Sequence, residues 1–183
     1  MLEYIRIALF RKALRRLLAS QKRSRKTHTI SSAKIIGLLF DASLDKNREE
    51  VVHFISSMEK AGKKIRVLGY FNTRQPTPAH TFDAFTLKET TWTRKPKSEK
   101  AQEFGGEKFD LLICLNPDEL PALEWIAVQS PAAMKIGSPT THPNDFDLQL
   151  EIPSGKGPRY FMEQLNLYLD KIVLSKNEPA KTS

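Results

Sequence analysis

The chain has 183 residues, of which 40% are hydrophobic and 27% are charged, and its formal net charge at pH 7 is +8. This length and composition are typical of one soluble globular domain with a sizeable core. The single cysteine, Cys114, excludes an intrachain disulfide and a cysteine-based metal site, and it favours a reducing, cytoplasmic compartment.

The excess positive charge is concentrated at the N-terminus. Nine of the 29 basic residues but only one of the 21 acidic residues lie in residues 1–26, so the other 157 residues carry 20 of each. This asymmetry predicts an arm that contacts a polyanion, either nucleic acid or an anionic membrane surface. The predicted polyanion-binding residues are Arg6, Arg11, Lys12, Arg15, Arg16, Lys22, Arg23, Arg25 and Lys26.

Residues 2–20 are predicted to form a basic amphipathic helix. Apolar residues such as Leu2, Leu9 and Leu14 recur at steps of three and four, mainly with basic residues between them. Arginines interrupt every apolar run, which excludes a transmembrane span and fits a secretory signal poorly. Three roles for this helix stay open: docking on the domain with solvated arginines, contact with RNA or the ribosome, and, less favoured, contact with a membrane surface. An Arg-rich, acid-poor helix is also typical of a mitochondrial transit peptide.

Three segments are predicted along the chain. Residues 1–29 form the basic helix and a flexible linker, because residues 21–29 continue the positive run with serine and threonine. Residues 30–174 form a single Rossmann-like α/β domain. Residues 175–183 form a disordered tail.

Apolar runs in the domain alternate with helical patterns, as in a parallel sheet with crossover helices. Strands are predicted at 34–41, 64–71, 82–87, 109–116, 134–137 and 146–152. The run at 109–116 is continuously apolar, which is typical of a central strand covered on both faces. The predicted fold is therefore a three-layer α/β sandwich with a mostly parallel sheet of five or six strands, preceded by the basic helix.

Helix boundaries are predicted from capping residues and glycines. A helix capped by Ser43 or Asp45 ends at Gly62, where a left-handed C-cap is expected. A short helix ends at Gly105-Gly106, another begins at Asp118 or Glu119, and the last begins at Pro158.

No established catalytic or cofactor motif is present. The loop after the first strand, residues 41–48, has no glycine to admit a pyrophosphate, and the chain has no Gly-rich Walker loop or Gly-x-Ser-x-Gly elbow. The four histidines, His28, His53, His80 and His142, lie at no metal-ligand spacing from one another or from Cys114. The sequence therefore predicts no catalytic residue, metal or cofactor, and it leaves open whether the protein is an enzyme.

Ligands of open parallel sheets bind outside the carboxyl ends of the strands. That rule nominates polar residues that follow three predicted strands: Asp41, Ser43, Asn116, Asp118 and Ser138. The alternative is that these side chains cap helices and turns, for which Asp, Asn and Ser are the favoured residues.

A basic turn before the short helix is a candidate phosphate site. Trp92 lies close to Arg94, Lys95 and Lys97, and free N–H groups at a helix start favour anions. Trp92 could stack on a base or sugar. The alternative is a buried tryptophan that anchors a solvated loop.

Three stretches carry a resemblance to a known family: "KIIGLLFD" at 34–41, "KPKSE" at 95–99 and "FDLLICLNPDELPALEWIAVQSPAAMKIG" at 109–137. With the basic N-terminal helix, the chain resembles over nearly its whole length a family of uncharacterised bacterial proteins of similar size with a domain of unknown function. The resemblance implies a Rossmann-like fold, and it implies no catalytic residue.

Residues 109–137 are also similar to one part of heptosyltransferase-type glycosyltransferases. In those enzymes a D-L-V-I-D-L strand precedes a helix and a short strand that ends in I-G, and Cys114 replaces the acidic residue of that strand. This partial resemblance implies shared architecture. The sequence thus predicts a non-enzymatic binding module associated with RNA or the ribosome. The alternatives are a nucleotide or nucleotide-sugar binding domain and a peripheral membrane protein.

Overall fold

A computed structural model describes residues 1–153 and 155–177, and for residues 170 and 172–177 it describes the backbone only. The helices are α1 (Leu2–Ser20), α2 (Asp45–Lys60), α3 (Glu99–Gly106), α4 (Pro121–Gln129) and α5 (Pro158–Asn177). The strands are β1 (Ile35–Asp41), β2 (Lys64–Phe71), β3 (Asp83–Thr86), β4 (Leu111–Leu115), β5 (Met134–Gly137) and β6 (Leu148–Gln149).

The six strands form one sheet in the order β3-β2-β1-β4-β5-β6, and every neighbouring pair is parallel. Strand order reverses between β1 and β4, as in other doubly wound folds. Helices cover both faces of the sheet, so the predicted three-layer Rossmann-like sandwich is confirmed, with the N-terminal helix in front of it.

Alternate side chains of the central strands point into two separate cores. In β4, Leu111 and Ile113 join the apolar cluster under α2 and α5, whereas Leu112 and Cys114 join the cluster under α3 and α4. All four are essentially inaccessible to water, and full burial of such side chains stabilises the fold by about 1.5–3 kcal/mol each. Burial raises the pKa of the Cys114 thiol, which keeps it protonated and unreactive.

Two predicted helix starts are wrong. Leu44 occupies the N-cap of α2 and Leu120 that of α4, and neither helix has a side-chain capping bond. The two residues expected to cap α2 have other partners: Oγ of Ser43 accepts a hydrogen bond from the backbone N–H of Asn72 at 3.2 Å, and Asp45 pairs with Arg48 within the helix. At the other end of α2, Gly62 has the expected left-handed backbone, with φ of +72°.

The predicted last strand and the predicted C-terminal tail are both longer than the structure shows for its described residues. The edge strand expected at 146–152 is reduced to the two residues of β6. Helix α5 includes residues 175–177 of the segment predicted to be disordered, and the rest of that predicted tail, 178–183, lies outside the described residues.

Helix α1 is docked on the domain by one face. Phe10 and Leu14 are buried against Trp125 and Val128 of α4, and the rings of Phe10 and Trp125 are 6.2 Å apart between centroids. None of the helices in the described part of the chain combines the length and apolar character needed to traverse a bilayer.

The prediction that residues 21–29 form a flexible linker is wrong. Nε2 of Gln21 donates a hydrogen bond to the carbonyl of Gln129 at 3.1 Å, and the backbone N–H of Lys26 donates one to Ala133 at 3.0 Å. His28 is buried further along the segment. These contacts hold the segment against the β5 side of the sheet, so α1 is positioned by its ends as well as by its apolar face.

A buried ion cluster lies where this segment meets the sheet. The guanidinium of Arg23 contacts Oδ2 of Asp145 at 3.3 Å and Oδ2 of Asp147 at 2.7 Å. Nζ of Lys135 lies 2.7 Å from the same oxygen of Asp145 and also donates to the carbonyl of Val128. The Arg23 side chain is only 3% exposed and that of Lys135 is fully buried.

Each charge of this cluster has a partner of opposite sign, which is the condition under which buried ions are tolerated. Arg23 also donates to the backbone carbonyls of Ala132, Ala133 and Asp145. Burial lowers the pKa of Lys135, and the adjacent Asp145 carboxylate opposes that effect. The cluster therefore depends on Arg23, whose removal leaves buried acceptors without a donor.

Arg23→Ala should lower the free energy of unfolding by about 3–5 kcal/mol, because it breaks a buried ion pair on one side only. Lys22→Ala, the exposed basic neighbour, should change it by less than about 0.5 kcal/mol. Urea unfolding of both variants measures the difference. Equal, small effects would contradict a structural role for Arg23.

Candidate functional site

Helix α1 covers a cavity of about 300 Å³ at the carboxyl edge of the sheet. Its wall includes Arg6 and Arg11 from α1, Tyr70 from β2 and Arg94 from the loop before α3. The floor is formed by three titratable side chains, Glu119, Glu124 and His142. We refer to it as the α1 cavity.

The imidazole of His142 lies between the two carboxylates. Its Nδ1 is 3.1 Å from Oε2 of Glu119, and its Nε2 is 2.9 Å from Oε1 of Glu124. Although these separations are short, neither Nδ1 of His142 nor Oε1 of Glu124 makes a hydrogen bond of good geometry. The three side chains therefore converge without being fully satisfied by one another.

Backbone strain is concentrated at this cavity. Two non-glycine residues in the described chain have positive φ, Glu119 at 49° and Arg94 at 66°, and both line the α1 cavity. Left-handed backbone at such residues costs of order 1 kcal/mol or more and clusters at functional sites. The left-handed backbone conformation of Glu119 turns the chain between β4 and α4.

The loop after β5 holds two members of the site in place. Both the backbone N–H and the hydroxyl of Thr141 donate hydrogen bonds to Oε2 of Glu119, at 3.1 and 2.9 Å. The hydroxyl of Thr140 donates to the carbonyl of His142 at 2.7 Å and accepts from Nδ2 of Asn144. The β5 loop is thereby tied to the β4 loop across the sheet edge.

Burial makes the Glu124 and His142 pair neutral at pH 7. Desolvation, with the nearby Glu119 as a second cause, raises the pKa of Glu124 to about 8, while Arg11 opposes the shift. Desolvation also lowers the pKa of His142, and the carboxylate of Glu119 opposes that change. Glu124 consequently retains its proton at neutral pH, and His142 has a free lone pair on one ring nitrogen.

A second cavity, of about 410 Å³, lies at the strand-order reversal. It is lined by Asp41 after β1 and Asp118 after β4, together with Lys46 and Lys156. Two of the predicted ligand-binding residues, Asp41 and Asp118, are thus brought together at the place that strand order predicts. We refer to it as the switch-point cavity.

The remaining predicted ligand residues lie outside this cavity. Asn116 is buried, and its side chain both accepts from the N–H and donates to the carbonyl of Leu120, so it shapes the β4 loop. Ser43 accepts a hydrogen bond from the N–H of Asn72 at 3.2 Å. Ser138 is buried, and its hydroxyl has no partner among the described residues.

The nine predicted polyanion-binding residues divide into two groups. Three of them form ion pairs: Arg23 belongs to the buried ion cluster, Arg25 pairs with Asp147 at 2.8 Å, and Arg6 pairs with Glu3. Six others are exposed and form no ion pair with the described residues: Arg11, Lys12, Arg15, Arg16, Lys22 and Lys26. The structure thus removes Arg23 from the candidate set, because its side chain is inaccessible.

The predicted phosphate-binding loop lies beside α1. Trp92 is 56% exposed, which is contrary to the alternative of a buried anchor. Nζ of Lys95 lies 4.6 Å from the ring centroid of Trp125, the residue on which Phe10 of α1 packs. Arg94 lines the α1 cavity, and Lys97 is exposed.

Sequence reasoning missed Glu119, Glu124 and His142 as a group. The sequence predicts only a helix start at Glu119, and His142 has no other histidine or cysteine at ligand spacing. A usable signal was present, since Glu119 and His142 follow β4 and β5, strands whose carboxyl ends adjoin in the sheet. Glu124 lies five residues after Glu119, in the first turn of α4.

Between pH 6.5 and 8 the free energy of unfolding should fall by about 1–2 kcal/mol, and Glu124→Gln should abolish that fall. The unfolded chain loses the Glu124 proton near the ordinary carboxyl pKa, whereas the folded protein keeps it until about pH 8. The folded state thus binds more protons in this window, so rising pH favours unfolding. The lowered pKa of His142 makes stability rise with pH, because the unfolded imidazole binds the proton more tightly; this effect lies mainly below pH 6.5 and offsets only a small part of the fall at the lower edge of the window.

Urea unfolding at the two pH values, in metal-free buffer, measures this effect. Glu103→Gln, at an exposed glutamate of α3, is the matched control and should keep the wild-type dependence. The same pH dependence in wild type and Glu124→Gln would refute the protonation assigned to Glu124.

Comparison with known proteins confirms the resemblance to an uncharacterised family. No curated protein matches the chain with significance, and the partial similarity to glycosyltransferases finds no support. A family of unknown function, DUF6913, matches residues 6–172, which is more than nine-tenths of the chain from α1 into α5. The chain therefore belongs to the DUF6913 family.

Proposed function

We propose that this protein binds single-stranded RNA, free or within the ribosome, through a basic surface on α1 and the adjacent loop. The basic surface comprises the exposed cations of α1 and the neighbouring loop side chains: Arg11, Lys12, Arg15, Arg16, Trp92, Lys95 and Lys97. The protein would act as a binding module, with affinity drawn mainly from phosphate contacts.

The observation that carries the proposal is the set of unpaired cations on α1. Arg11, Lys12, Arg15 and Arg16 form no ion pair with the described residues, whereas Arg23, only seven residues beyond Arg16, is fully engaged with acids of the domain. Arg11 has an electrostatic interaction with Glu124 across the α1 cavity, and no ion pair among the described residues neutralises Lys12, Arg15 or Arg16. A polyanion is the partner that such a cluster favours.

Docking of α1 strengthens this argument. Because Phe10 and Leu14 fix one face of α1 on α4, the exposed cations are presented in one orientation, without the ordering cost of a free helix. The exposed indole of Trp92 lies on a loop beside the same helix and can stack on an unpaired base. Cations with an accessible aromatic ring are the combination that single-stranded RNA requires.

Lys12→Ala combined with Arg16→Ala should weaken binding of a labelled single-stranded RNA about tenfold at low salt, because two phosphate contacts are lost. The dependence of log K on log salt should become shallower by roughly 1–1.5 for the same reason. Fluorescence anisotropy of the full-length protein between about 50 and 200 mM salt measures both effects.

The matched control is Lys60→Ala combined with Lys88→Ala, which removes the same charge at exposed sites away from α1. It should change affinity less than twofold. Absence of salt-sensitive RNA binding by the wild type, or an equal loss in the control, would refute the proposal.

Apolar side chains on the outer face of α1 favour a membrane surface as the competing partner. Leu2 is 73% exposed, Tyr4 81% and Leu9 45%, and a basic helix with such residues can lie in a lipid headgroup layer. Co-sedimentation with vesicles that contain phosphatidylserine, in the absence of RNA binding, would replace the RNA proposal with this one. Binding to RNA without vesicle binding would support the RNA proposal.

The switch-point cavity supports a second candidate function, binding of a nucleotide or nucleotide-sugar. Its carboxylates, Asp41 and Asp118, can accept hydrogen bonds from ribose hydroxyls, and Lys46 and Lys156 can contact phosphates. Glycines for close backbone approach to a pyrophosphate are missing from the β1 loop, so side chains would provide the contacts.

ATP, GTP or UDP-glucose should then raise the melting temperature of the full-length protein by several degrees, because a ligand specific for the native state stabilises it. Lys156→Ala should remove the rise, and Lys60→Ala should preserve it. A thermal-shift series with no rise for any of these compounds would eliminate this candidate.

A further inference from the structure

We propose that Glu119, Glu124 and His142 bind one divalent transition-metal ion, Zn²⁺ or Mn²⁺, on the floor of the α1 cavity. This inference is independent of the RNA-binding proposal, since none of the three residues belongs to the basic surface. It assigns a role to a cluster of side chains that the spacing of histidines and cysteines along the chain does not reveal.

The potential ligand atoms of the three side chains already lie close together. One atom from each residue, two carboxylate oxygens and one imidazole nitrogen, can be chosen so that all lie within 4.8 Å of one another. Metal–ligand bonds of about 2.0–2.2 Å separate neighbouring ligand atoms by about 3–4 Å, so small side-chain adjustments would centre an ion between them. Nδ1 of His142 and Oε2 of Glu119, 3.1 Å apart, already have this spacing. Glu124 now faces the other ring nitrogen, Nε2, at 2.9 Å, so its carboxylate would move toward Nδ1 to complete the set.

Glu124 supplies an independent observation that points to a ligand. Its side chain is only 8% exposed, lines the cavity, and has its Oε1 atom buried without a hydrogen-bond partner. A buried oxygen with no donor is unfavourable unless another group satisfies it. Nδ1 of His142, which faces Glu119, is also buried and without a hydrogen-bond partner. An ion bound at Nδ1 and by both carboxylates would satisfy an oxygen and a nitrogen together.

The surroundings orient the ligands as metal sites require. Two hydrogen bonds from Thr141 fix the carboxylate of Glu119, and Thr140 holds the backbone carbonyl of His142. Such outer partners set ligand orientation, and their loss typically costs 10–100-fold in metal affinity.

The ligand set selects the class of ion. Imidazole with two carboxylates suits Zn²⁺ and Mn²⁺, whereas Mg²⁺ and Ca²⁺ prefer oxygen ligands alone. Three protein ligands leave at least one coordination position open. That position would face the cavity, where Arg11 and Arg94 can attract an anionic co-ligand.

Zn²⁺ alone and Mn²⁺ alone, added separately to full-length protein stripped with EDTA, should each show one binding site in titration calorimetry, with at least one ion bound at micromolar affinity or tighter. Glu124→Gln and His142→Asn should each weaken that binding at least tenfold, since each removes a direct ligand. The matched controls, Glu103→Gln and His53→Asn, carry the same changes at exposed sites outside the cavity and should bind as the wild type does.

Circular dichroism of the metal-free variants shows whether they are folded. Glu124→Gln keeps a neutral side chain of the same shape, so it should fold even if His142→Asn does not. No binding of either ion by the wild type, or equal binding by wild type and Glu124→Gln, would overturn the proposal. The RNA titration is carried out on metal-free protein, so its result does not depend on whether the ion binds, and the two proposals fail separately.

Discussion

The position of α1 depends on the buried ion cluster of Arg23, Lys135, Asp145 and Asp147. Arg23 is three residues beyond the end of α1, and its guanidinium reaches both aspartates and two backbone carbonyls next to β5. Burying these charges carries a desolvation cost, so the cluster contributes a defined geometry rather than a large net stability. That geometry directs α1 back across α4 to cover the carboxyl edge of the sheet, which creates the α1 cavity.

The same cluster explains why a count of charges along the sequence overstates how many cations of residues 1–26 are free to contact a partner. Residues 1–26 carry the whole formal excess, yet Arg23 and Arg25 pair with aspartates more than 120 residues away. No local pattern reveals such partners, because they depend on how β6 and the loop before it return to the N-terminal segment. What stays available for a polyanion is the exposed face of α1, where Lys12 and Arg16 form no ion pair with any described residue.

Local rules predicted the fold wherever one physical effect dominated. Continuous apolar runs located β1, β2 and β4, and Gly62 marked a left-handed turn that other residues adopt at a cost. The rules failed at the starts of α2 and α4, where Leu44 and Leu120 occupy N-caps that polar residues usually take. The strand-end rule nominates Asp41 and Asp118, which line one cavity in the structure. Glu119, Glu124 and His142 converge only through the tertiary contact between the β4 and β5 loops.

Helix α1 connects the two proposed sites physically. Arg11 lines the α1 cavity, where its charge opposes the desolvation that raises the pKa of Glu124 and adds to the desolvation that lowers the pKa of His142. The same helix carries Lys12 and Arg16 at exposed positions. A phosphate bound by Arg11 would offset that charge at the cavity, and a cation bound by Glu124 would repel the guanidinium. Coupling between two sites is reciprocal in free energy. A polyanion on the basic surface and a metal ion in the α1 cavity therefore change each other's affinity to the extent that both act on Arg11.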